Sequence, residues 1–302
     1  MTEYHADDYG LFPTQSRRIA DCCLNGVTNG VSVMPNSPYL QECMEILRPI
    51  EKDLRIAVHL NFMEGHSICT PEEVDLLVNK QGIFNVSFGK LLLASVLPSR
   101  RRYRAQLKKE IHAQIHAVTP YLESRPVRID SHSHYHMLPV VFDALMDVIQ
   151  EENLSVSYIR IPEEYVKIYF SCRKELVQFL PINLLKVLVL NFLAKRNKRK
   201  YRKFLGSLER SVFCGVMYSG RMCSQNMRVL LPEMEHLAER LGKNLEILAH
   251  PGAVYEEEDI AQLTNEDDIA FLTSDLRQAE AEAFISLKSH ANDEGREGAE
   301  YE

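Results

Sequence analysis

Apolar residues along this 302-residue chain gather in short runs, and between the runs apolar and polar positions recur with helical spacing. The runs at 27–34 (VTNGVSVM), 54–62 (LRIAVHLNF), 126–131 (PVRIDS), 155–161 (SVSYIRI), 211–217 (SVFCGVM) and 244–249 (NLEILA) predict β-strands. A shorter, more polar first strand falls at 2–6 (TEYHA). Amphipathic spacing predicts helices near 14–25, 38–48, 100–122, 139–151, 170–195, 224–241 and 274–289. Asn25-Gly26 is a stop signal for the first helix, and Ser37-Pro38 supplies a cap and first helical position for the second. Strands and helices that take turns in this way build parallel sheets joined by crossover helices, and single α/β barrels of this length are common.

Two stretches break the rhythm. Residues 63–97 form a connection long enough to cover a substrate. Residues 163–210 form a helical excursion, apolar at 184–193 and then basic in KRNKRKYRK, Lys195 to Lys203. The ordinary reading of that run is a solvated helix end; the alternative, for 183–203, is a face that meets a membrane surface or a partner. The tail at 292–302 is acidic and Gly-bearing, a composition that predicts disorder after a single domain at 1–291.

Composition narrows the function classes. At 45% hydrophobic and 25% charged residues the chain is ordinary globular material. Its net charge of −7 argues against a general nucleic-acid binder, which carries a basic footprint. The seven cysteines include no C-x-x-C pair, which points to reduced thiols in the cytoplasm rather than a disulfide framework or a cysteine zinc cage. The polar start MTEYHADDYG lacks the apolar core of a signal peptide, and the run 182–194 is too short to span a bilayer.

The candidate chemistry sits at the ends of the predicted strands. Asp7 and Asp8 follow the first, His59 closes the third, and Asp130 ends the fourth ahead of His132, His134 and His136. On an extended chain those three alternating histidines would share one face. Arg160 ends the fifth strand and His250 the last. Each has a structural alternative: a helix cap for Asp7 or Asp8, a satisfied core histidine for His59, an ion-pair partner for Arg160. Jointly they aim acids, imidazoles and a guanidinium at the edge from which parallel barrels build active sites. A mononuclear hydrolytic metal centre needs about three protein ligands and open positions, and Asp8, His59 and His132 would supply them. Asp7 is then the general base, His250 the acid for the leaving group, and Asp130 a group that orients an imidazole.

The segments HADDYGL, AVHLNF, RIDSHSHYHMLP and EILAHPG resemble, in order and spacing, the motifs of the YdjC-like (ChbG-type) carbohydrate deacetylases. NGVTNGVSVMPN, PEE and GVMYSGRM add to the likeness, which runs from about residue 3 to 289. The resemblance implies an irregular (β/α) barrel-like, TIM-barrel-like fold of about seven parallel strands, and a homodimer. It also implies hydrolysis of the acetamide of N-acetylated sugars of the chitooligosaccharide type. It implies a divalent metal, magnesium by family usage, on Asp8, His59 and His132, with Asp7 as base. His134 and His136 then stand behind the ligands or face substrate, and Arg160 binds a sugar hydroxyl or steadies a carboxylate. The donor set by itself is a closer match to zinc, manganese, iron or cobalt. The polar first strand, HLNFMEG in place of the family's Thr or Ser after its third-strand motif, and the basic excursion depart from the pattern. The rival functions are hydrolysis of a phosphoester or another amide, and a barrel kept as a binding module.

Overall fold

The computed structural model describes residues 1–263 and 266–299, without the side chains of 266–268 and 289–299. All seven predicted strands are present: β1 (Thr2–Tyr9), β2 (Gly30–Val33), β3 (Arg55–Leu60), β4 (Val127–Ser131), β5 (Val156–Ile159), β6 (Ser211–Cys214) and β7 (Asn244–Ala249). They form one sheet in the order β5-β4-β3-β2-β1-β7-β6, and every pairing is parallel. The sheet curls into a half-barrel. Its edge strands β5 and β6 are bridged by the Glu209 amide, which donates to the Ser157 carbonyl at 3.0 Å, and by side chains across the interior.

The helices are α1 (Pro13–Asn25), α2 (Leu40–Leu47), α3 (Phe88–Ala94), α4 (Arg100–Val118), α5 (Pro139–Glu151), α6 (Val166–Ser171), α7 (Pro181–Lys200), α8 (Arg202–Ser207), α9 (Ser224–Leu241), α10 (Glu257–Ile260), α11 (Glu266–Leu272) and α12 (Asp275–Ala299). The helix expected over 170–195 is split. Pro181 cannot donate to a preceding turn and instead starts α7 at its first helical position. The connection 63–97 is not a bare loop: it contains α3 and two short antiparallel bridges, His66 to Ile83 and Val78 to Phe84. Of the segment expected to be disordered, 292–299 falls in α12 without described side chains, and 300–302 lies outside the described residues. Among the described residues no helix is long and apolar enough to cross a membrane.

Alternation decides which residues face which layer. Ile56, Val58 and Leu60 of β3 and Val127 and Ile129 of β4 are buried in the apolar core with the helices. Each such burial stabilises the fold by about 1.5–3 kcal/mol. The opposite face lines the interior of the curl, and it is polar: Glu3, His5 and Asp7 on β1, Ser32 on β2, His59 on β3, Arg128 and Asp130 on β4, Glu246 on β7, all buried. Parallel barrels usually fill this space with branched apolar side chains. That substitution explains why the first strand reads as short. β1 runs to Tyr9 and is flanked by β2 and β7, but half its side chains belong to a buried ionic network.

Candidate active site

Asp7 and Asp8 are neighbours on one strand, so ideal pleating would send them to opposite faces. Asp8 takes φ +65, and the β1–β2 register shifts between Ala6 and Tyr9. Aspartate tolerates this left-handed geometry better than most residues. The result brings both carboxylates to the barrel mouth. The Asp8 carbonyl is held by the Gln15 side-chain amide at 2.9 Å, from the first turns of α1.

Asp8, His59 and His132 converge. His59 Nε2 is 3.4 Å from Asp8 Oδ1, and His132 Nδ1 is 2.8 Å from the same oxygen. The second oxygen of Asp8 accepts from Arg277 Nη2 at 2.7 Å, a contact from α12. His59 donates from Nδ1 to Asp130 Oδ1 at 2.7 Å, which fixes a proton there and turns Nε2 to Asp8. Asp7 stands behind, its Oδ2 4.0 Å from His59 Nε2. Arg160, fully buried, grips both oxygens of Asp7 at 2.8 and 3.0 Å, Asp130 Oδ2 at 2.9 Å and Glu246 Oε1 at 2.7 Å. Ser32 donates its hydroxyl to Asp130 and receives His5 Nε2 at 2.6 Å.

The electrostatics follow from this crowd. Burial would raise Asp8, but His132, His59 and Arg277 hold its carboxyl well below the usual range. Burial would likewise raise Asp130, and Arg160 and His59 outweigh it. Burial pulls His59 down, yet the carboxylates of Asp7, Asp130 and Asp8 lift it to about 10. The mouth therefore demands positive charge at the face of His59 turned to Asp8.

Whether a metal ion fits can be judged from which polar atoms are left over. Four clusters among the described residues bring together three or more possible donors. In two of them, Glu3-His5-Glu246 and His5-Asp7-Asp130, the acids already hold Arg128 or Arg160 and both nitrogens of His5 have partners. A third, His112-His116-Glu152, lies exposed outside the barrel. It continues a ladder of α4–α5 ion pairs, Arg100–Asp143, Arg104–Asp147 and Lys108–Glu151. Only Asp8-His59-His132 leaves buried donors unmatched: Nε2 of His59 and Nε2 of His132 have no hydrogen-bond partner. Two imidazoles and a carboxylate with spare lone pairs suit a divalent cation.

The other expected residues lie elsewhere in the network. The strand ends at Ser131, and residues 132–137 turn into 3₁₀ geometry with Ser133 and His134 at φ 49 and 57. The three histidines therefore do not share a face. His134 packs edge-on to Phe213, with ring centroids 5.8 Å apart and Nδ1 unpartnered; burial and Arg160 push it far below the ordinary imidazole range. His136 is a brace: it donates from Nε2 to the Arg160 carbonyl at 2.7 Å and meets the Ser131 hydroxyl through Nδ1 at 2.7 Å. His250 meets Phe271 edge-on, centroids 5.1 Å apart, while its backbone amide donates to Glu280 at 2.7 Å. Sequence reasoning missed Glu3, His5, Ser32, Glu246, Arg277 and Glu280. For the first four the signal was present as period-two polarity in strands of a parallel sheet. A cleft of about 390 Å³ opens at the C-terminal ends of β1, β2 and β3, with Phe12, Met34, Tyr39, Asn61 and His66 in its walls. Asn61 lies two residues past His59, and Phe12 four past Asp8.

The profile of a family described as YdjC-like protein matches residues 4–291. Among curated proteins, a carbohydrate deacetylase of Xenopus laevis is 29% identical over 159 residues, 52% of this chain and 49% of that one. One of Thermoanaerobacter pseudethanolicus is 28% identical over 163 residues, 54% of this chain and 61% of the other. The chain thus spans about half the length of the curated relatives it matches. A crystal structure of an Enterococcus faecalis protein, provisionally described as a cellobiose-phosphate cleavage protein, superposes with a TM-score of 0.67 over 98% of this chain and 94% of its own. At 18% identity that likeness speaks for the fold alone.

Proposed function

The chain belongs to the YdjC-like family, and we propose on that footing that it removes acetyl groups from N-acetylated sugars of the chitooligosaccharide type with the help of a divalent metal. The observation that carries the reading is the pair of buried, unpartnered imidazole nitrogens on His59 and His132 beside Asp8. The relatives named carbohydrate deacetylase support a sugar amide as the substrate. Asp8, His59 and His132 would hold the ion, which supplies Lewis-acid polarisation of the amide carbonyl.

The protein's own groups do the rest. Asp7, its carboxylate oriented by Arg160, takes the proton of the attacking water. Asp130 keeps His59 in one tautomer by accepting from Nδ1. His250 delivers a proton to the departing amine, so that acetate and a free amino sugar leave. The neighbouring cleft, with Tyr39, Asn36 and His66 in its walls, would receive the sugar ring.

The test is acetate release from N-acetylated chitooligosaccharides by protein stripped of metal and refilled with magnesium, zinc, manganese or cobalt. Metal-dependent release that drops about 10²–10⁴-fold in Asp7→Asn is expected. Release that survives chelation would overturn the role of the ion. Stoichiometric metal binding without acetate release from any acetylated sugar would overturn the substrate class.

A further inference from the structure

Charge is unevenly distributed along this chain. Residues 76–109 contain no Asp or Glu and eight Lys or Arg, and residues 176–208 repeat that count. Taking these sixteen positive charges away from a net −7 leaves −23 on the remainder. The same two stretches hold nine of the sixteen large apolar side chains that are exposed among the described residues. Exposed apolar surface and freedom from acids therefore coincide twice.

α7 shows how this is built. Val187, Leu190, Leu193 and Ala194 are buried against the domain, while Ile182, Leu185, Leu188 and Phe192 form a stripe on the outside at helical spacing, 53, 56, 53 and 72% exposed. Lys186 and Lys195 flank the stripe, and Arg199 extends it by two further turns; all three are exposed, and none has an ion-pair partner among the described residues. The stretch 76–109 contributes Leu93, Val96 (80% exposed) and then the exposed Arg101 and Arg102. The two meet at Asp143, whose carboxylate takes Arg100 from α4 and Arg196 and Lys200 from α7.

The inner face of α7 places this surface beside the mouth. Asn197 donates to the Met137 carbonyl, Asn191 bonds both backbone groups of Glu164, and Asn183 donates to the Met217 carbonyl. Those three partners follow β4, β5 and β6. α7 thus lies across the C-terminal ends of three strands with its apolar stripe turned outward.

We propose that α7 and the segment 93–102 form a docking face for an anionic lipid surface, on which the protein lies without crossing it. Interfacial helices combine an apolar face with Lys and Arg at its borders, and each cation near an anionic leaflet adds attraction. A second copy is the less fitting occupant, because neither stretch holds an acid to offset the lysines and arginines that two such faces would bring together. The inference rests on charge and exposure alone and stands apart from the deacetylase reading.

The experiment is flotation of the full chain with vesicles of neutral phosphatidylcholine, and with vesicles in which about a third of the lipid is phosphatidylglycerol, over a range of salt, with light scattering for mass. Binding to the anionic vesicles alone is expected, weakening with salt. It should fall at least about tenfold in Leu185→Glu/Phe192→Glu and again in Lys195→Glu/Arg199→Glu, while Leu24→Glu on α1 leaves it unchanged. All these positions are exposed, so the variants fold, and circular dichroism verifies it. Absence of binding to anionic vesicles overturns the proposal. So does a dimer that Phe192→Glu converts to monomer without any lipid binding, which would assign the face to a second copy.

Discussion

Arg160→Met tests the central physical claim, that one buried guanidinium holds three carboxylates in place. Arg160 has no solvent exposure, and its donors reach Asp7, Asp130 and Glu246 at 2.7 to 3.0 Å. At an effective dielectric constant of about 20, a pair of charges about 4 Å apart is worth about 4 kcal/mol. Three such pairs are mostly offset by stripping water from the four ions. Removing the cation keeps the desolvation of the acids and deletes its compensation, which costs about 3–5 kcal/mol in buried pairs. Methionine fills most of the vacated volume, so the loss reads charge rather than cavity. Lysine should recover only part of it, because a single ammonium cannot replace a planar fork that spans three acids.

The pH dependence makes the argument sharper. In the wild type, burial raises Asp130 but Arg160 and His59 hold it far below the usual range, and Glu246 sits above its usual value through burial. Without Arg160 both acids take up protons in the folded state at a pH where the unfolded chain has already released them. The native state then binds more protons than the unfolded one, so the stability of the variant falls as pH rises. The deficit relative to wild type is expected to be smallest near pH 5 and widest near pH 8. Urea unfolding followed by circular dichroism, with chelator present, measures it. A deficit below about 1 kcal/mol, or one that is flat across this range, would refute the reasoning.

Three further substitutions probe other parts of the molecule. Asp130→Asn removes the charge behind His59 Nδ1 while keeping the shape, and metal affinity measured by competition with a chromophoric chelator should weaken about 10–100-fold. In Asp143→Ala, Arg196, Lys200 and Arg100 are 27, 42 and 37% exposed and can turn to water, so urea titration should show a loss of about 1–3 kcal/mol. Burial raises Asp143 but Arg196, Lys200 and Tyr201 hold it below its ordinary value. Its contribution is therefore complete above about pH 4 and fades as pH falls through the lowered folded-state value, a fade that is absent in the alanine variant. Gly252→Ala would put a Cβ 2.7 Å from Gln15 Nε2 and 2.8 Å from Ile19 Cδ1, and Gln15 is the residue that holds the Asp8 carbonyl. A cost of about 1–3 kcal/mol is expected in thermal melts, with activity lowered further than stability alone explains.

The strands were legible because each keeps one apolar face: Ile56, Val58 and Leu60 announce β3 whatever the other face does. β1 was read too short because Asp7 and Asp8 looked like loop, when alternation through Glu3, His5 and Asp7 carries the strand to Tyr9. The turn at Ser133 and His134 left no trace in residue type, since neither is a glycine, and so the histidines were placed on one face. Arg277 and Glu280 were illegible for a different reason. They arrive from α12, far along the chain, and local pattern cannot say which distant backbone a helix will meet. The basic run was legible as charge, while its partial use as a clamp on buried Asp143 was not.

The site and the closure of the barrel are the same object. No strand pairing joins β5 to β6 among the described residues, so the curl is held across that gap by contacts such as Tyr158 to Glu246 and Arg160 to Glu246. The guanidinium that closes the gap also grips Asp7 on β1 and Asp130 on β4. Asp130 in turn orients His59 on β3, and His59 faces Asp8. A displacement at the open edge is thereby transmitted through four charged contacts to the carboxylate-imidazole trio. Filling the interior with branched apolar residues would close a barrel equally well. It would leave the proposed base and the orienting acid without fixed positions, and a carboxylate misplaced by about 1 Å loses about 10²-fold in rate. The polar interior is costly to desolvate, and what it gives in return is rigidity at the one edge where the sheet itself supplies none.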